Sequence, residues 1–555
     1  MKTVLDSVHG TISIPKFLFR KVIDSEHFQR LRRIEQNSCR SVYPSARHDR
    51  FIHSLGVYYI GSRIADEIDR KYNHPSKDKD KDEDILPPNW GKIKETYKLA
   101  CLLHDVGHTP FSHTFEEYFG REYATNKLKE LFKDTSFGKD CDISNKHNHK
   151  AAEHELISAM VAVEIYRPKF MEEDGNDHDK DYKDIDWELL VRMITGYRYL
   201  EHTNSGTDDS EYRPKGSFEN TMIELIHGDI IDADGLDYVC RDVWAGGYRN
   251  YNINLNRLIS SINIQKEKEE KEENEGNDEN SYRYSVIYSS KALNEIETVL
   301  NVKNFQYLYV IKHHKVLLEQ YYLIEAMKSA ACHHCKKSQE TSRDREDALR
   351  TICNPEIFTG SIVLERYGYK LTRPTDDDFV ALMKLVPRDD KYIKEVKYIK
   401  GWFSRIFSHK PLWKSKLEYF NIFTPVIETI DNESTFNIVN YLNDIRFEQY
   451  LEANTDWKRE DIIVIPVTSK IRHLDPKKIK VSINNENITF SQLHHDSFSV
   501  TGSNKPFCYV YFDFERNNMV RNKENINKVV EVIKNYLSEQ LRALWTPNST
   551  SEVKS

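Results

Sequence analysis

The run Leu102-Leu103-His104-Asp105-Val106-Gly107-His108-Thr109-Pro110-Phe111-Ser112-His113 constrains the fold more than any other stretch. Three histidines and an aspartate fall within ten residues, behind an apolar segment and around a proline. His104 and Asp105 are neighbours, so the spacing predicts that one of them turns away from the core. His104 and His108 are four apart and would share a face of a continuing helix. Neutral imidazole and carboxylate are the usual ligands for a divalent metal with open positions. A single histidine here would read as the polar end of a helix. Four such groups in one short run, two of them inside an apolar segment, point instead to chemistry.

The rest of the chain gives this run a setting. Its 555 residues suffice for several domain-sized units. Charged residues make up 30% and the net charge is -8, so a nucleic-acid partner is not indicated. No apolar run reaches a membrane span. The start Met1-Lys2-Thr3-Val4-Leu5-Asp6 brings in an acid too early for a signal peptide. Eight scattered cysteines read as reduced thiols, and the expected location is cytoplasmic.

Apolar periodicity predicts one helix face through Phe28, Leu31 and Ile34, and a helix over 50–72. Further helices are expected at about 93–104, 151–166, 186–197, 291–331 and 525–544, with polar loops at 133–148 and 171–185. Strand-like runs at 258–262 and 284–288 flank the Lys/Glu/Asn-rich stretch 266–280, which predicts a hairpin with a disordered tip. Strands are also expected at 461–467, 479–483 and 507–512. The expected architecture is mainly α: a helical catalytic core over 1–335 and a smaller α+β C-terminal lobe over 336–555.

Three pieces belong together chemically: Arg50-Phe51-Ile52-His53-Ser54-Leu55-Gly56, the opening run, and Asp232-Ala233-Asp234-Gly235-Leu236-Asp237-Tyr238-Val239-Cys240-Arg241-Asp242. Two histidines and two aspartates from three helices could close on one divalent metal, leaving positions for water and a phosphate oxygen. The order His, His-Asp, Asp resembles the HD-domain phosphohydrolase superfamily. The extended wording of the three blocks resembles its deoxynucleoside triphosphate triphosphohydrolases, and among them the SAM- and HD-domain-containing branch. The likeness covers about residues 1–260 and, more weakly, 291–325. The core is expected to begin at residue 1, without a separate SAM module.

The resemblance implies that His53, His104, Asp105 and Asp234 bind the metal, which could be Mg, Mn, Fe or Zn. Alone, His53 would read as a core histidine and Asp234 as a helix N-cap. The resemblance also implies catalytic roles for His108, His113 and His154, with Glu116 three residues after His113 where the family usually has Asp. A carboxylate there orients a histidine and raises its basicity. Attack by metal-activated water on the α-phosphorus, with a protonated histidine (His113 first) serving the departing sugar 5′-oxygen, would release deoxynucleoside and triphosphate. By the same likeness Gln36, Tyr238 and Asp242 face the sugar and Arg50 grips phosphate. Asn304 stands where the family has a further phosphate-binding arginine, so Lys312 and Lys315 are candidates to replace it.

Lys2, Asp24, Gln29 and Arg32 match an allosteric nucleotide site between subunits, which implies an activating nucleotide and a homo-oligomer, dimer or tetramer. Leu5 departs from the polar residue of that strand. Two other readings stand beside this one: another HD phosphohydrolase (a nucleotide phosphodiesterase or a nuclease), or a nucleotide-sensing assembly module. A role in dNTP pool balance and one in antiviral defence fit the sequence equally. Cys332-His333-His334-Cys335 invites a zinc reading, against which zinc ligands usually come as two separated pairs and the nearest further cysteine, Cys353, stands alone.

Overall fold

The computed structural model describes residues 1–40, 42–73, 85–172, 182, 184–201, 214–228, 230–248, 252–268, 282–335, 341–360, 364–366, 369–387, 393–427, 438–467, 475–484, 486–493 and 507–545. The architecture is mainly helical with a few small sheets. It divides into two compact units that interleave along the chain. The first takes 1–309, 327–389 and 471–498, and the second 310–326, 390–470 and 499–555. No described helix is long and apolar enough to cross a membrane. The eight cysteines are free thiols.

The first unit opens with an antiparallel hairpin, β1 (Lys2–Asp6) and β2 (Gly10–Ile14). A broken series of short helical turns over 16–33 follows, where apolar spacing alone suggested one helix face. Five helices then frame the site: α1 (Arg50–Tyr72), α2 (Trp90–Leu103), α3 (Glu153–Val161), α4 (Trp187–Thr195) and α5 (Ala233–Ala245). Several boundaries have a local cause. Asp49 caps α1 by accepting from the Ile52 amide, and Asp186 caps α4 by accepting from that of Leu189. Gly196 ends α4 in the left-handed region at φ 70°. Helix α1 is buried on most sides in its first three turns, through Phe51, Leu55, Val57 and Ile60, and His53 is enclosed among them.

Strands β3 (Ile262–Lys268) and β4 (Tyr282–Ser289) form the expected antiparallel hairpin. Most of its proposed tip lies outside the described residues. Strand Lys480–Ile483 joins this sheet in parallel on β4, and Glu486–Thr489 extends it. Two local expectations fail. Leu258–Ser260, read as strand, ends the helix Leu255–Ser260 capped by Asn254, and β3 begins only at Ile262. Within the expected loop 133–148, Phe137–Lys146 is a helix that buries Phe137, Cys141 and Ile143 beneath a polar exterior.

The second unit holds a three-stranded antiparallel sheet, ordered His409–Pro411, Phe507–Asp513, Ile462–Val467. Its central strand is buried throughout, as a continuous apolar run requires. Trp413 donates its indole N–H to the Cys508 carbonyl at 2.7 Å. The helix Lys523–Trp545 closes the chain, and its Val529, Ile533, Tyr536 and Leu537 enter the same core.

Candidate active site

Helix α2 stops at Leu103, and His104 takes the C-cap position. The chain then turns tightly, with the His108 amide donating to the Asp105 carbonyl at 2.9 Å. This break decides what the two neighbours do. On a continuing helix one would point outward; off the helix both are buried, His104 at 8% exposure and Asp105 at 1%. For the same reason His104 and His108 do not share a helix face.

Three helices bring the first cluster together. The Nε2 atoms of His53 (α1) and His104 (after α2) lie 3.3 Å apart. Asp234 Oδ1, from the first turn of α5, is 3.0 Å from the former and 3.7 Å from the latter. Asp105 Oδ2 is 3.7 and 3.6 Å from the same two nitrogens. The N-cap of α5 is Asp232, whose carboxylate accepts from the Gly235 amide, and this leaves Asp234 available to the cluster. Ligands about 2.1 Å from one ion at 90–125° to each other stand roughly 3.0–3.7 Å apart, so the two imidazoles and the Asp234 oxygen fit a divalent cation.

Charge in the cluster is balanced by its surroundings. Burial works against ionised Asp105, but the Arg50 guanidinium, 2.8 Å away, holds its carboxyl well below the usual range. Burial likewise opposes ionised Asp234, and the His53 hydrogen bond holds it down. On the other side of His53, Nδ1 meets Asp237 Oδ2 at 2.7 Å. That bond fixes the tautomer and points the Nε2 lone pair into the cluster. Gly56, one turn on, makes room for it: a Cβ there would lie 1.9 Å from Asp237 Oδ1.

A second cluster adjoins the first. His108, His113 and His154 present ring nitrogens within 4.8 Å of one another. Glu116 serves two of them, accepting from His113 Nδ1 at 2.8 Å and His154 Nδ1 at 2.5 Å. Burial disfavours the charged His154 ring, yet the Glu116 carboxylate outweighs it and pushes the pKa up to about 9. His108 is held well below the ordinary imidazole range by burial and by Arg50, and its Nε2 is buried without a hydrogen-bond partner. Asp105 joins the two clusters: its Oδ1 is 3.9 Å from His154 Nε2.

The kink between them is backbone-driven. Phe111 and Ser112 both lie in the left-handed region, at φ 54° and 52°. That conformation costs roughly 1–2 kcal/mol per residue for side chains of this kind. It is held by the Phe111 amide donating to Asp376 Oδ1 at 2.6 Å and by Ser112, whose hydroxyl donates to the Glu35 carbonyl and accepts from Arg50.

The structure places the remaining candidates unevenly. Arg50 is buried, and its donors go to Asp105, Ser112 and the Gln36 carbonyl, with His113 Nε2 at 3.4 Å. Gln36 is buried with no partner for its side-chain oxygen. Asp242 accepts from Asn37 and His48, at 2.7 and 2.6 Å. Tyr238 has the Lys303 ammonium 5.3 Å from its ring centre. Lys312 and Lys315 belong to the second unit. Lys2 pairs with Asp24 at 3.6 Å, and Arg32 donates to Gln29 at 3.0 Å while lying over the Phe51 ring. The groupings of described residues close enough to hold an ion do not include Cys332 to Cys335.

Several contributors were missed in the sequence. Asp237 and Arg241 stand four apart on α5 and could have been read as a helical ion pair. His9, Asp6 and Asp376 reach the site from hundreds of residues away, and no motif marks them.

Comparison with known proteins agrees with this geometry. Residues 50–186 match the HD domain, so an HD domain is present in the chain. An uncharacterized protein of Methanocaldococcus jannaschii is 35% identical over 204 residues, 36% of this chain and 38% of the relative. An uncharacterized protein of Mycoplasma pneumoniae is 27% identical over 288 residues, 52% of this chain and 50% of its own. The deoxynucleoside triphosphate triphosphohydrolase SAMHD1 of Gallus gallus is 42% identical over 120 residues, 21% of this chain and 17% of its own. The matched stretches thus span half or less of these relatives. A crystal structure of a hypothetical protein from Aquifex aeolicus covers 97% of this chain and 99% of its own, with a TM-score of 0.51 and 21% identity. That likeness shows the fold alone.

Proposed function

We propose that the protein is a metal-dependent phosphohydrolase that cleaves dNTPs to deoxynucleoside and inorganic triphosphate. The observation that carries this reading is Asp105. One of its oxygens closes the His53–His104–Asp234 group, and the other faces His154 across from it. A metal-ligand set and a set of proton-carrying histidines therefore share one wall, as water attack and leaving-group protonation at a single phosphorus require.

His53, His104, Asp105 and Asp234 would hold the ion. When bound, it supplies a Lewis acid for phosphoryl charge and a lowered pKa for water. Arg50 fixes Asp105 and directs its remaining edge toward His113. Glu116 holds Nδ1 of His113 and His154, so each ring offers Nε2 to the departing 5′-oxygen. His113, with its side chain 61% exposed, is the first choice for that proton. Gln36, Tyr238 and Asp242 take the sugar side, with Lys303 beside Tyr238. The partial match to SAMHD1 of Gallus gallus supports dNTPs as the substrate class. The same reading extends to a homo-oligomer with an activating nucleotide between subunits at Lys2, Asp24, Gln29 and Arg32.

The test is incubation of purified protein with each dNTP and Mg²⁺ or Mn²⁺, singly and in pairs, with chromatographic detection of triphosphate. Triphosphate is expected, and Asp234→Ala should abolish it. Monophosphate or diphosphate products instead would favour another HD phosphohydrolase. Full activity of Asp234→Ala would remove the metal assignment. Equal activity on single and mixed dNTPs would remove the regulatory one.

A further inference from the structure

Asp237 is wholly buried, yet it is not one of the residues that face the metal cluster. Its carboxylate is saturated. Oδ2 takes His53 Nδ1 at 2.7 Å and Arg241 Nε at 2.8 Å. Oδ1 takes Arg241 NH2 at 2.8 Å and the ring Nε2 of His9 at 2.6 Å. Three of these contacts come from the framework helices α1 and α5. The fourth comes from the turn of the N-terminal hairpin, which the HD domain match does not include.

That turn is organised around this contact. Asp6, the last residue of β1, accepts from the Val8 and His9 amides with Oδ1, at 2.9 and 2.6 Å. This fixes the backbone that presents His9. Its Oδ2 takes Arg241 NH1 at 2.8 Å. The His9 ring stacks on Tyr59 of α1, with centroids 5.2 Å apart, and its side chain is 1% exposed. One hairpin turn therefore binds both members of the Asp237–Arg241 pair. A buried carboxylate with every acceptor site filled cannot rotate, and neither can the imidazole that it orients.

We propose that the hairpin turn sets the metal affinity of the cluster: His9 and Asp6 are positioning residues that lock Asp237 and Arg241, and through them hold His53 Nε2 on the ion. This rests on the reading of His53, His104, Asp105 and Asp234 as metal ligands. A ligand's hydrogen-bonded partners tune affinity because an unsupported imidazole must be ordered at the moment of binding. The hairpin thus makes metal affinity depend on whether the first ten residues are docked.

The test is calorimetric titration of full-length protein with Mn²⁺ alone, alongside thermal denaturation without metal. His9→Ala and Asp6→Asn should each weaken Mn²⁺ binding by about 10–100-fold, the range seen for outer-shell partners. His9→Gln keeps a side-chain N–H at nearly the same reach and should restore most of the affinity. Leu5→Ser, on the same strand but 84% exposed, should bind like the wild type. A purely structural turn would lower the melting temperature of His9→Ala and His9→Gln without separating their Mn²⁺ affinities. Wild-type affinity in both His9→Ala and Asp6→Asn overturns the proposal and leaves the metal reading intact. A wild-type protein that binds no Mn²⁺ overturns both.

Discussion

Gly107 sets the distance between the His-Asp turn and α3, and replacing it tests how the second cluster is built. A Cβ at this position would lie 2.4 Å from the Ser158 amide nitrogen and 2.6 Å from the Ile157 carbonyl carbon, where ordinary contact begins at 3.4 Å. Both neighbours are backbone of α3, so no side chain can swing aside. In Gly107→Ala, α3 must retreat by about 1 Å, at an overpacking cost of roughly 1–3 kcal/mol. The Gly107 amide also donates to Ser158 Oγ at 2.9 Å, and losing that bond adds about 0.5–1.5 kcal/mol. His154 sits in the first turn of α3, so a retreat of this size stretches its 2.5 Å bond to Glu116 out of hydrogen-bond range. If His154 moves a proton as proposed, a 1 Å misplacement costs about 100-fold in rate. Gly91→Ala is the matched control. It lies in the first turn of α2, a Cβ there meets nothing within 4 Å, and helix propensity favours alanine by up to about 1 kcal/mol. Urea melts and, under the proposed function, dNTP hydrolysis of both variants decide the matter. If Gly107→Ala is as stable and as active as Gly91→Ala, the close approach of α3 does not position His154 and the reasoning fails.

Asp376 gives a pH signature. It accepts from the Phe111 and Glu35 amides at 2.6 and 3.0 Å, and burial pushes its pKa up to about 7. Its unfolded value is near 3.9. Between those values the folded chain holds a proton that the unfolded chain lacks, so this group's contribution is full below about pH 4 and is lost as pH rises through 7. Unfolding free energies from urea melts at pH 5 and 8 should therefore differ less in Asp376→Asn than in the wild type, by up to about 2.6 kcal/mol, since about two pKa units at 1.36 kcal/mol each lie between pH 5 and 7; an unchanged difference refutes the assignment. Arg192 and Asp140 form a fully buried pair at 2.9 Å. Arg192→Met should cost about 3–5 kcal/mol in chemical denaturation by stranding that carboxylate, and adding Asp140→Asn should recover much of the loss.

The helix over 50–72 was legible to the residue, because its apolar positions keep one period and Asp49 supplies a cap. The His, His-Asp and Asp blocks were legible as a set, and the structure brings His53, His104, Asp105 and Asp234 together. The end of α2 was legible too: a helix over 93–104 was expected, and the chain leaves it at Leu103. The close approach of α3 to Gly107 was not, because it joins residues about fifty positions apart. The helix Phe137–Lys146 was hidden by its polar exterior, since its three buried apolar side chains make too weak a period. The strand Lys480–Ile483 reads locally like its neighbours in the C-terminal part, yet it pairs with β4 in the first unit. Parallel pairing across such a separation leaves no local trace. The support of Asp237 by His9 spans 228 positions, and it too is invisible to any window.

Helix α5 carries Asp234, Tyr238 and Asp242 at intervals of four, so they recur along one face about 6 Å apart, at 1.5 Å per residue. Under the proposed function this makes the helix a ruler, with the metal at its zero mark and the sugar contacts one and two divisions along. Spacing of this kind belongs to the backbone and does not relax when side chains repack. Inserting a single residue between 241 and 242 would turn the last mark by about 100° while leaving Asp234, Asp237 and Arg241 in place. Such a protein would keep its ion and misread the far end of the sugar.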